Sequence, residues 1–247
     1  MKVEVYSDIA CPWCYIGKHR FERALSAFPG AADVEVVYRP YQLDPGAPSV
    51  ASSHRAYLDS RYGPGSAQMD ARVAKLGLDE GIQFDFDNAL HVNTLTGHRL
   101  LRLADAEYGP AVQVALKEKL FAARFAEGGD VGDRAQLTEL AVAVGMDRER
   151  VAGYLDSREG TEEVLAQIAL AQELGVSSVP TFVFEGQWAV SGAQESSTFL
   201  RVLEQVAAET KESSAPGDAA DAETGAIGAE TGGDGDEGAC ADGVCAV

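Results

Sequence analysis

The sequence predicts an α/β fold whose sheet-and-helix core is interrupted by a block of helices. Three observations carry this reading. The first 40 residues read strand–helix–strand, residues 46–158 show helical spacing almost throughout, and residues 159–210 read helix–strand–strand–helix. With 247 residues, 46% of them hydrophobic, the chain is long enough to bury one sizeable core or two small ones.

The opening segment Lys2-Val3-Glu4-Val5-Tyr6-Ser7 alternates like a strand. After the short loop Asp8-Ile9-Ala10 and Cys11, the pattern turns helical. Ile16, Phe21, Ala24, Leu25 and Phe28 supply its apolar side. Pro12 suits the first helical turn, where its missing N–H would be unpaired anyway. Pro29-Gly30 stops the helix, and Val34–Arg39 reads as a second strand. Helical segments follow near 50–62, 66–77, 93–107, 110–127, 134–144 and 148–156, punctuated by glycines. In the segment 110–127, Val112, Leu116, Leu120 and Phe121 share one side. A further helix near 160–174 ends at Gly175. Thr181–Phe184 and Trp188–Val190, joined by Glu185-Gly186-Gln187, read as a hairpin, and a last amphipathic helix spans about 194–209. With the helical block removed, this element order is the thioredoxin topology. The division expected is 1–45 and 159–210 for a thioredoxin-like domain in two parts, 46–158 for the helical insertion, and 211–247 for an acidic tail.

The tail is rich in Ser, Ala, Gly, Asp and Glu and holds no aromatic residue after Glu212. It cannot bury enough apolar surface to offset its ordering entropy, so disorder is expected there. The formal net charge is −19, which argues against nucleic acid and against anionic membrane surfaces as partners. The segment 213–247 contributes much of it, with eight acids and no Lys or Arg. No run of about 18 apolar residues suggests a membrane span, and no signal-like apolar segment follows the first residues. A cytoplasmic location is the resulting expectation.

The four cysteines form two close pairs, Cys11/Cys14 and Cys240/Cys245. Close pairs in a reducing compartment point to redox or metal chemistry more than to a structural framework. Disulfide exchange needs a thiolate, while a free cysteine has a pKa of about 8.5. At a helix N-terminus, the unpaired N–H groups and the positive end of the dipole favour a negative sulfur. Cys11 stands at that position. After two intervening residues, Cys14 returns a second sulfur to the same turn. The roles expected are an exposed attacking Cys11 and a buried resolving Cys14. The competing reading is half of a zinc site, whose second pair would then be 226 residues away in the tail. Pro12 and Trp13 between a strand and a helix start fit redox use better. Trp13 either stacks on substrate or covers Cys14.

Val179-Pro180-Thr181 sets a proline before a buried strand, where it costs a ladder hydrogen bond. The choice is between a cis bond facing the cysteines, with Val179 offering backbone hydrogen bonds to an extended substrate, and a plain trans-proline. The upstream cysteine motif favours cis.

Together, Ser7-Asp8-Ile9-Ala10-Cys11-Pro12-Trp13-Cys14-Tyr15-Ile16-Gly17, Val179-Pro180-Thr181-Phe182 and Ser191-Gly192-Ala193-Gln194 resemble the DsbA-like family. Asn93-Thr94 and His98-Arg99 resemble its cytosolic FrnE-type branch. The resemblance spans about residues 1–210. It implies a thioredoxin fold with a helical insertion and disulfide oxidoreductase or isomerase activity, with Cys11 the nucleophile, Cys14 the resolver and Pro180 the cis-proline. The 2-hydroxychromene-2-carboxylate isomerases and kappa-class glutathione transferases are relatives with Ser in the nucleophile position, and Cys11 departs from that pattern. The partners implied are disulfide or dithiol proteins or small thiols. No bound organic cofactor is expected, with glutathione conceivable as a co-substrate. The sequence sets neither the direction of exchange nor the oligomeric state.

Cys240-Ala241-Asp242-Gly243-Val244-Cys245 can close a small disulfide loop, and such a pair also resembles some FrnE-type members. Roughly 30 residues separate it from the last helix, an r.m.s. span of about 30 Å for a flexible chain. At the millimolar-range effective concentration of a tether, it could exchange with Cys11. The alternatives are an incidental pair or a weak metal-binding tail. Asn93 and His98, about one turn apart on an expected helix, are either a polar wall facing Cys11 or an interdomain hydrogen-bond site, and the second reading is preferred. Lys18 and His19 lie on the first helix, where charges seldom act on a thiolate. Trp188 is expected in the core. His54 and His91 have no metal-ligand spacing, and no metal site is expected in the folded part.

Overall fold

The alternation of Val3 and Val5 with Glu4, Tyr6 packing on the opposite face, builds strand β1 (Lys2–Ser7) in the computed structural model, which describes residues 1–214 and 244–246. Helix α1 (Pro12–Ala27) follows, and β2 (Glu35–Pro40) pairs parallel to β1 with Val3 opposite Val36. After the insertion come α8 (Thr161–Glu173), β5 (Thr181–Phe184), β6 (Trp188–Ser191) and α9 (Ser196–Ser214). Strand β5 runs antiparallel to β1, and β6 antiparallel to β5. The result is the α/β thioredoxin-like fold with a helical insertion. Phe21 from α1, Phe182 and Phe184 from β5 and Phe199 from α9 meet in its core, the Phe182–Phe199 rings 4.5 Å apart. Such aromatic pairs add about 0.5–1.5 kcal/mol each beyond their area burial.

The insertion carries β3 (Ser52–Ser53), α2 (His54–Tyr62), α3 (Ser66–Asp79), β4 (Leu90–His91), α4 (Leu95–Leu103), α5 (Pro110–Phe125), α6 (Arg134–Ala143) and α7 (Arg148–Asp156). Two boundaries differ from expectation. The helix expected from 50 starts at 54, because residues 52–53 pair with β4 and the Ser53 hydroxyl caps α2 by accepting from the Ala56 N–H. The helix expected over 93–107 stops at Leu103, and a π-helical turn over 104–108 ends it at Gly109, whose φ of 88° suits glycine.

Strand β2 is an outer strand, and the insertion satisfies it. From α5, the Gln113 side-chain amide accepts from the Tyr38 N–H at 2.7 Å and donates to the Tyr38 carbonyl at 3.1 Å. A side chain here does the work of a neighbouring strand. On the opposite edge, Val244–Ala246 form β7, antiparallel to β6, with Cys245 opposite Ala189. The acidic tail expected to be disordered thus contributes an edge strand, and residues 211–214 continue α9. The rest of the expected tail, Cys240 included, lies outside the described residues. No helix among the described residues is long and apolar enough to cross a membrane.

Candidate active site

A turn at the end of β1 places the first cysteine. The Asp8 carboxylate accepts from the Ala10 N–H at 3.1 Å and from the Leu43 N–H at 2.7 Å, while the Asp8 carbonyl accepts from the Cys11 N–H at 3.2 Å. This leaves Cys11 as the N-cap of α1 in an extended conformation, with Pro12 in the first turn. Its sulfur accepts from the Cys14 N–H at 3.3 Å. A sulfur thus performs the role usually given to a Ser or Asp oxygen, and the helix end faces it with positive charge.

The Val179–Pro180 bond is cis, and the Cys11 thiol donates to the Val179 carbonyl at 3.6 Å. Gly17 on α1 permits this approach, since a Cβ there would stand 3.0 Å from Pro180 Cγ. The Pro180 carbonyl is held by the Gly192 N–H at 2.8 Å, and Thr181 donates to the Ser178 carbonyl at 2.8 Å. Trp13 is the exposed member of the motif, at 37%.

One expectation is corrected. Cys11 is not the exposed partner: it is 3% accessible, against 2% for Cys14. The cause is packing, because both sulfurs join a cluster with Tyr15, Ile16 and Phe121, against which Val179 and Ala193 also pack. In this dithiol state the Cys11 thiol is also pushed well above its ordinary pKa. The Cys14 side chain beside it is the largest cause, followed by burial, with the Asp8 carboxylate adding to them and the Cys14 N–H acting the other way. The helix N-terminus favours a thiolate, and in the closed dithiol its effect is outweighed.

The insertion forms the back wall. Tyr15 stacks on Phe121 of α5 with ring centroids 5.0 Å apart. Lys18 and His19 do not reach the sulfurs with any hydrogen bond. Lys18 donates to Glu118 at 2.6 Å and Glu22 at 2.8 Å, and His19 Nε2 lies 3.1 Å from Glu118. Together with the Tyr15 hydroxyl, which donates to Glu118 at 2.9 Å, they fasten α1 to α5. Burial opposes ionisation of Glu118, but the His19 hydrogen bond and the Lys18 ammonium outweigh it and hold the carboxyl at about 2.

His98 and Asn93 have inward partners. His98 is buried, with Nε2 3.2 Å from the Asp8 carboxylate, and so bridges α4 to the cysteine turn. Burial drives its pKa down despite that carboxylate. Asp8 is opposed by burial too, yet His98 and the Leu43 and Ala10 N–H groups keep it below the usual carboxylate range. Asn93 precedes α4 rather than lying on it. It accepts from the Leu95 N–H at 2.9 Å and donates to the Pro45 carbonyl at 3.0 Å, which fixes the loop after β2. Arg99 donates to the Tyr154 and Ser157 carbonyls at 3.0 and 2.8 Å, at the end of α7. Trp188 is half-buried on β6. His91 stacks on Tyr57 and His54 on Phe86. Among the described residues no group of three or more His, Cys, Asp or Glu side chains is placed to hold a metal ion.

Three polar residues near the site escaped sequence reasoning: Asp8, Gln113 and Lys117. Their signal was present. Gln113, Lys117 and Arg124 recur at spacings of four and seven along α5, which sets them on one face together with the buried Leu116 and Leu120.

Comparison with known proteins agrees with this geometry. A family model described as a DSBA-like thioredoxin domain matches residues 2–204. The crystal structure of a probable DsbA oxidoreductase, SCO1869 of Streptomyces coelicolor, is 37% identical with a TM-score of 0.78, over 91% of this chain and 95% of that one. The uncharacterized protein YwbO of Bacillus subtilis is 29% identical over 206 residues, 81% of this chain and 94% of its own length. A 2-hydroxychromene-2-carboxylate isomerase structure shares the fold at 16% identity and a TM-score of 0.61, over 87% of this chain and all of that one. With a CxxC pair at the start of α1 and the family model covering most of its length, the chain belongs to the DsbA-like thioredoxin-domain family.

Proposed function

We propose that this chain is a thiol–disulfide oxidoreductase of the FrnE-type cytoplasmic branch, acting through Cys11 and Cys14 on disulfide or dithiol proteins or on small thiols such as glutathione. The observation that carries the reading is the convergence of three groups: the Cys11 sulfur at a helix N-terminus, Cys14 within hydrogen-bond reach of it, and the Val179 carbonyl beside the Cys11 sulfur. In the reductive direction the Cys11 thiolate attacks a substrate disulfide, the S–S bond breaks, and the leaving sulfur takes a proton. Cys14 then attacks the Cys11 sulfur of the mixed disulfide and releases the second substrate thiol. An external dithiol then reduces the Cys11–Cys14 disulfide back to the dithiol and is itself oxidised, and the reverse sequence oxidises a substrate. A substrate running extended past Pro180 would take over the Val179 carbonyl from the Cys11 thiol, uncovering the sulfur.

The same reading gives the tail pair a role as a relay to Cys11/Cys14. Its support is the register of β7, whose Val244 end lies opposite Val190, toward Ser191 and the Pro180 end of the hairpin. Loss of regeneration rate in Cys240→Ser/Cys245→Ser supports the relay, and an unchanged rate removes it.

The deciding experiment is insulin reduction by dithiothreitol with wild type, Cys11→Ser and Cys14→Ser. Activity abolished in Cys11→Ser, with a trapped mixed disulfide in Cys14→Ser, is the expected result. Activity indifferent to Cys11 would overturn the reading and direct attention to glutathione-dependent isomerisation.

A further inference from the structure

Arg20 stands on α1 one turn beyond Gly17, and it is buried. Its guanidinium reaches two segments that are distant in sequence. Nε donates at 2.7 Å to the carboxylate of Glu80, just past the end of α3 in the insertion. Nη1 donates at 2.8 Å to the Ala193 carbonyl, in the loop between β6 and α9. Nη1 also lies 2.8 Å from the Glu195 carboxylate, which is exposed, so that contact adds little. Glu80 is buried and is gripped twice more from α1. Arg23 donates to its other carboxylate oxygen at 2.6 Å, and His19 Nδ1 lies 3.0 Å from its carbonyl. Neutralising Glu80 therefore does not depend on Arg20 by itself. What Arg23 and His19 do not supply is the bond to Ala193.

Ala193 borders the site. It packs on the cluster that holds Cys11 and Cys14, and its Cβ would stand 3.4 Å from a Cβ on Gly17. Its neighbour Gly192 donates to the Pro180 carbonyl at 2.8 Å, and the Ser191 hydroxyl lies 2.9 Å from that of Ser178. Residues 191–193 thus carry the Val179–Pro180 segment with them, and Arg20 ties that unit to the helix bearing the cysteines. Apolar contact holds such surfaces together without direction, whereas the planar guanidinium fork fixes where its acceptors lie. The tie therefore sets the gap between the Cys11 sulfur and the Val179 carbonyl, 3.6 Å across in the closed site. Ile82, which follows Glu80 closely, belongs to the same cysteine cluster. One guanidinium thus registers both walls of the site on α1.

We infer that Arg20 is a positioning residue for the substrate backbone, holding the Val179–Pro180 segment at the spacing an extended disulfide substrate needs beside Cys11. The inference rests on the oxidoreductase reading above. A peptide that pairs with Val179 enters a gap formed in advance. Once the tie is lost, the peptide must order the gap as it binds, and affinity falls. A small disulfide with no peptide backbone makes no use of the gap and reacts with Cys11 as before. Arg20 thereby favours protein disulfides over small ones.

The test compares two substrates on the full-length chain. Insulin reduction by dithiothreitol gives KM and kcat for a protein disulfide. The release of the first coloured thiol from 5,5′-dithiobis(2-nitrobenzoate) by reduced protein gives the rate for a small one. The second assay is run in a Cys240→Ser/Cys245→Ser background, so that the thiols counted are Cys11 and Cys14. In Arg20→Gln the insulin KM rises at least about fivefold, while kcat and the small-disulfide rate change by less than about twofold. Arg20→Lys keeps a positive charge near Glu80 but lacks the fork that spans Glu80 and Ala193, so it shows the same split. A wild-type insulin KM in either variant overturns the inference. A small-disulfide rate that falls in step with insulin reduction also overturns it, because that marks a general loosening of the fold. If Arg20→Gln does not fold by circular dichroism, Arg20→Gln/Glu80→Gln leaves no buried carboxylate short of a partner and carries the same readouts. Failure of the unsubstituted chain to reduce insulin, or insulin reduction that persists in Cys11→Ser, sinks the oxidoreductase reading itself and the inference with it.

Discussion

Replacing Glu118 by glutamine removes the charge that fastens the insertion to the catalytic helix. Glu118 accepts from Lys18 at 2.6 Å, from the Tyr15 hydroxyl at 2.9 Å and faces His19 at 3.1 Å. A carboxyl moved from 4.5 to about 2 carries roughly 3 kcal/mol at neutral pH. A third of the side chain, 34%, is exposed, so solvent screening reduces this to about 1–2 kcal/mol. For a chain of this size that lowers Tm by about 2–8 °C. The sign follows from the ionisation. A depressed carboxyl stabilises fully above its unfolded value and loses that contribution as pH falls through the folded one, here between about 4.5 and about 2. His19 has the opposite sense: burial lowers its pKa, the Glu118 contact outweighs burial, and the net rise gives stability lost as pH climbs past the folded value. The Glu118→Gln penalty is therefore largest between about pH 5 and 6.5 and shrinks by more than half at pH 2.5. Thermal unfolding followed by circular dichroism at pH 5.5 and 2.5 measures it. An equal loss at both pH values would refute the assignment of the stability to the Glu118 charge.

Gly160→Ala puts a Cβ 1.9 Å from the Tyr154 hydroxyl at a φ of 74°. Left-handed strain and overpacking together cost about 2–5 kcal/mol, read as a lower urea midpoint at constant m. Gly17→Ala should change stability by less than about 1.5 kcal/mol, since the gain in helix propensity offsets part of the 3.0 Å contact with Pro180. Its insulin-reduction rate should fall several-fold, because the contact pushes Pro180 out of place beside Cys11. Phe121→Ala removes the ring under Tyr15 and beside Lys117 and should cost about 3–5 kcal/mol in chemical denaturation.

By itself, the sequence determined those features whose cause is local. The alternation at Val3 and Val5, the proline after Cys11, and the apolar run Thr181–Phe184 beside a turn place strands, helix and hairpin without reference to anything distant. The cysteine pair was legible because two residues of spacing on a helix turn fix where its sulfurs lie. Tertiary structure decided the rest. Cys11 reads as exposed from its place at a helix head, yet Val179 and Ala193, more than 160 residues away, close over it. His98 and Asn93 look alike as polar residues near one helix start, and only their partners, Asp8 and the loop after β2, show that they fix backbone. Strands β3 and β4 are two residues long, too short for any periodicity. A three-residue strand in the acidic tail has a partner on β6 that no local pattern announces. Lys117 shows the limit most clearly. On a helix a lysine ordinarily carries its charge to water, and only the packing of α5 against β2 and α1 turns this one inward over the Phe121 and Tyr38 rings. Local chemistry sets what a residue can do, and the long-range contacts that fix its solvent and its neighbours set what it does.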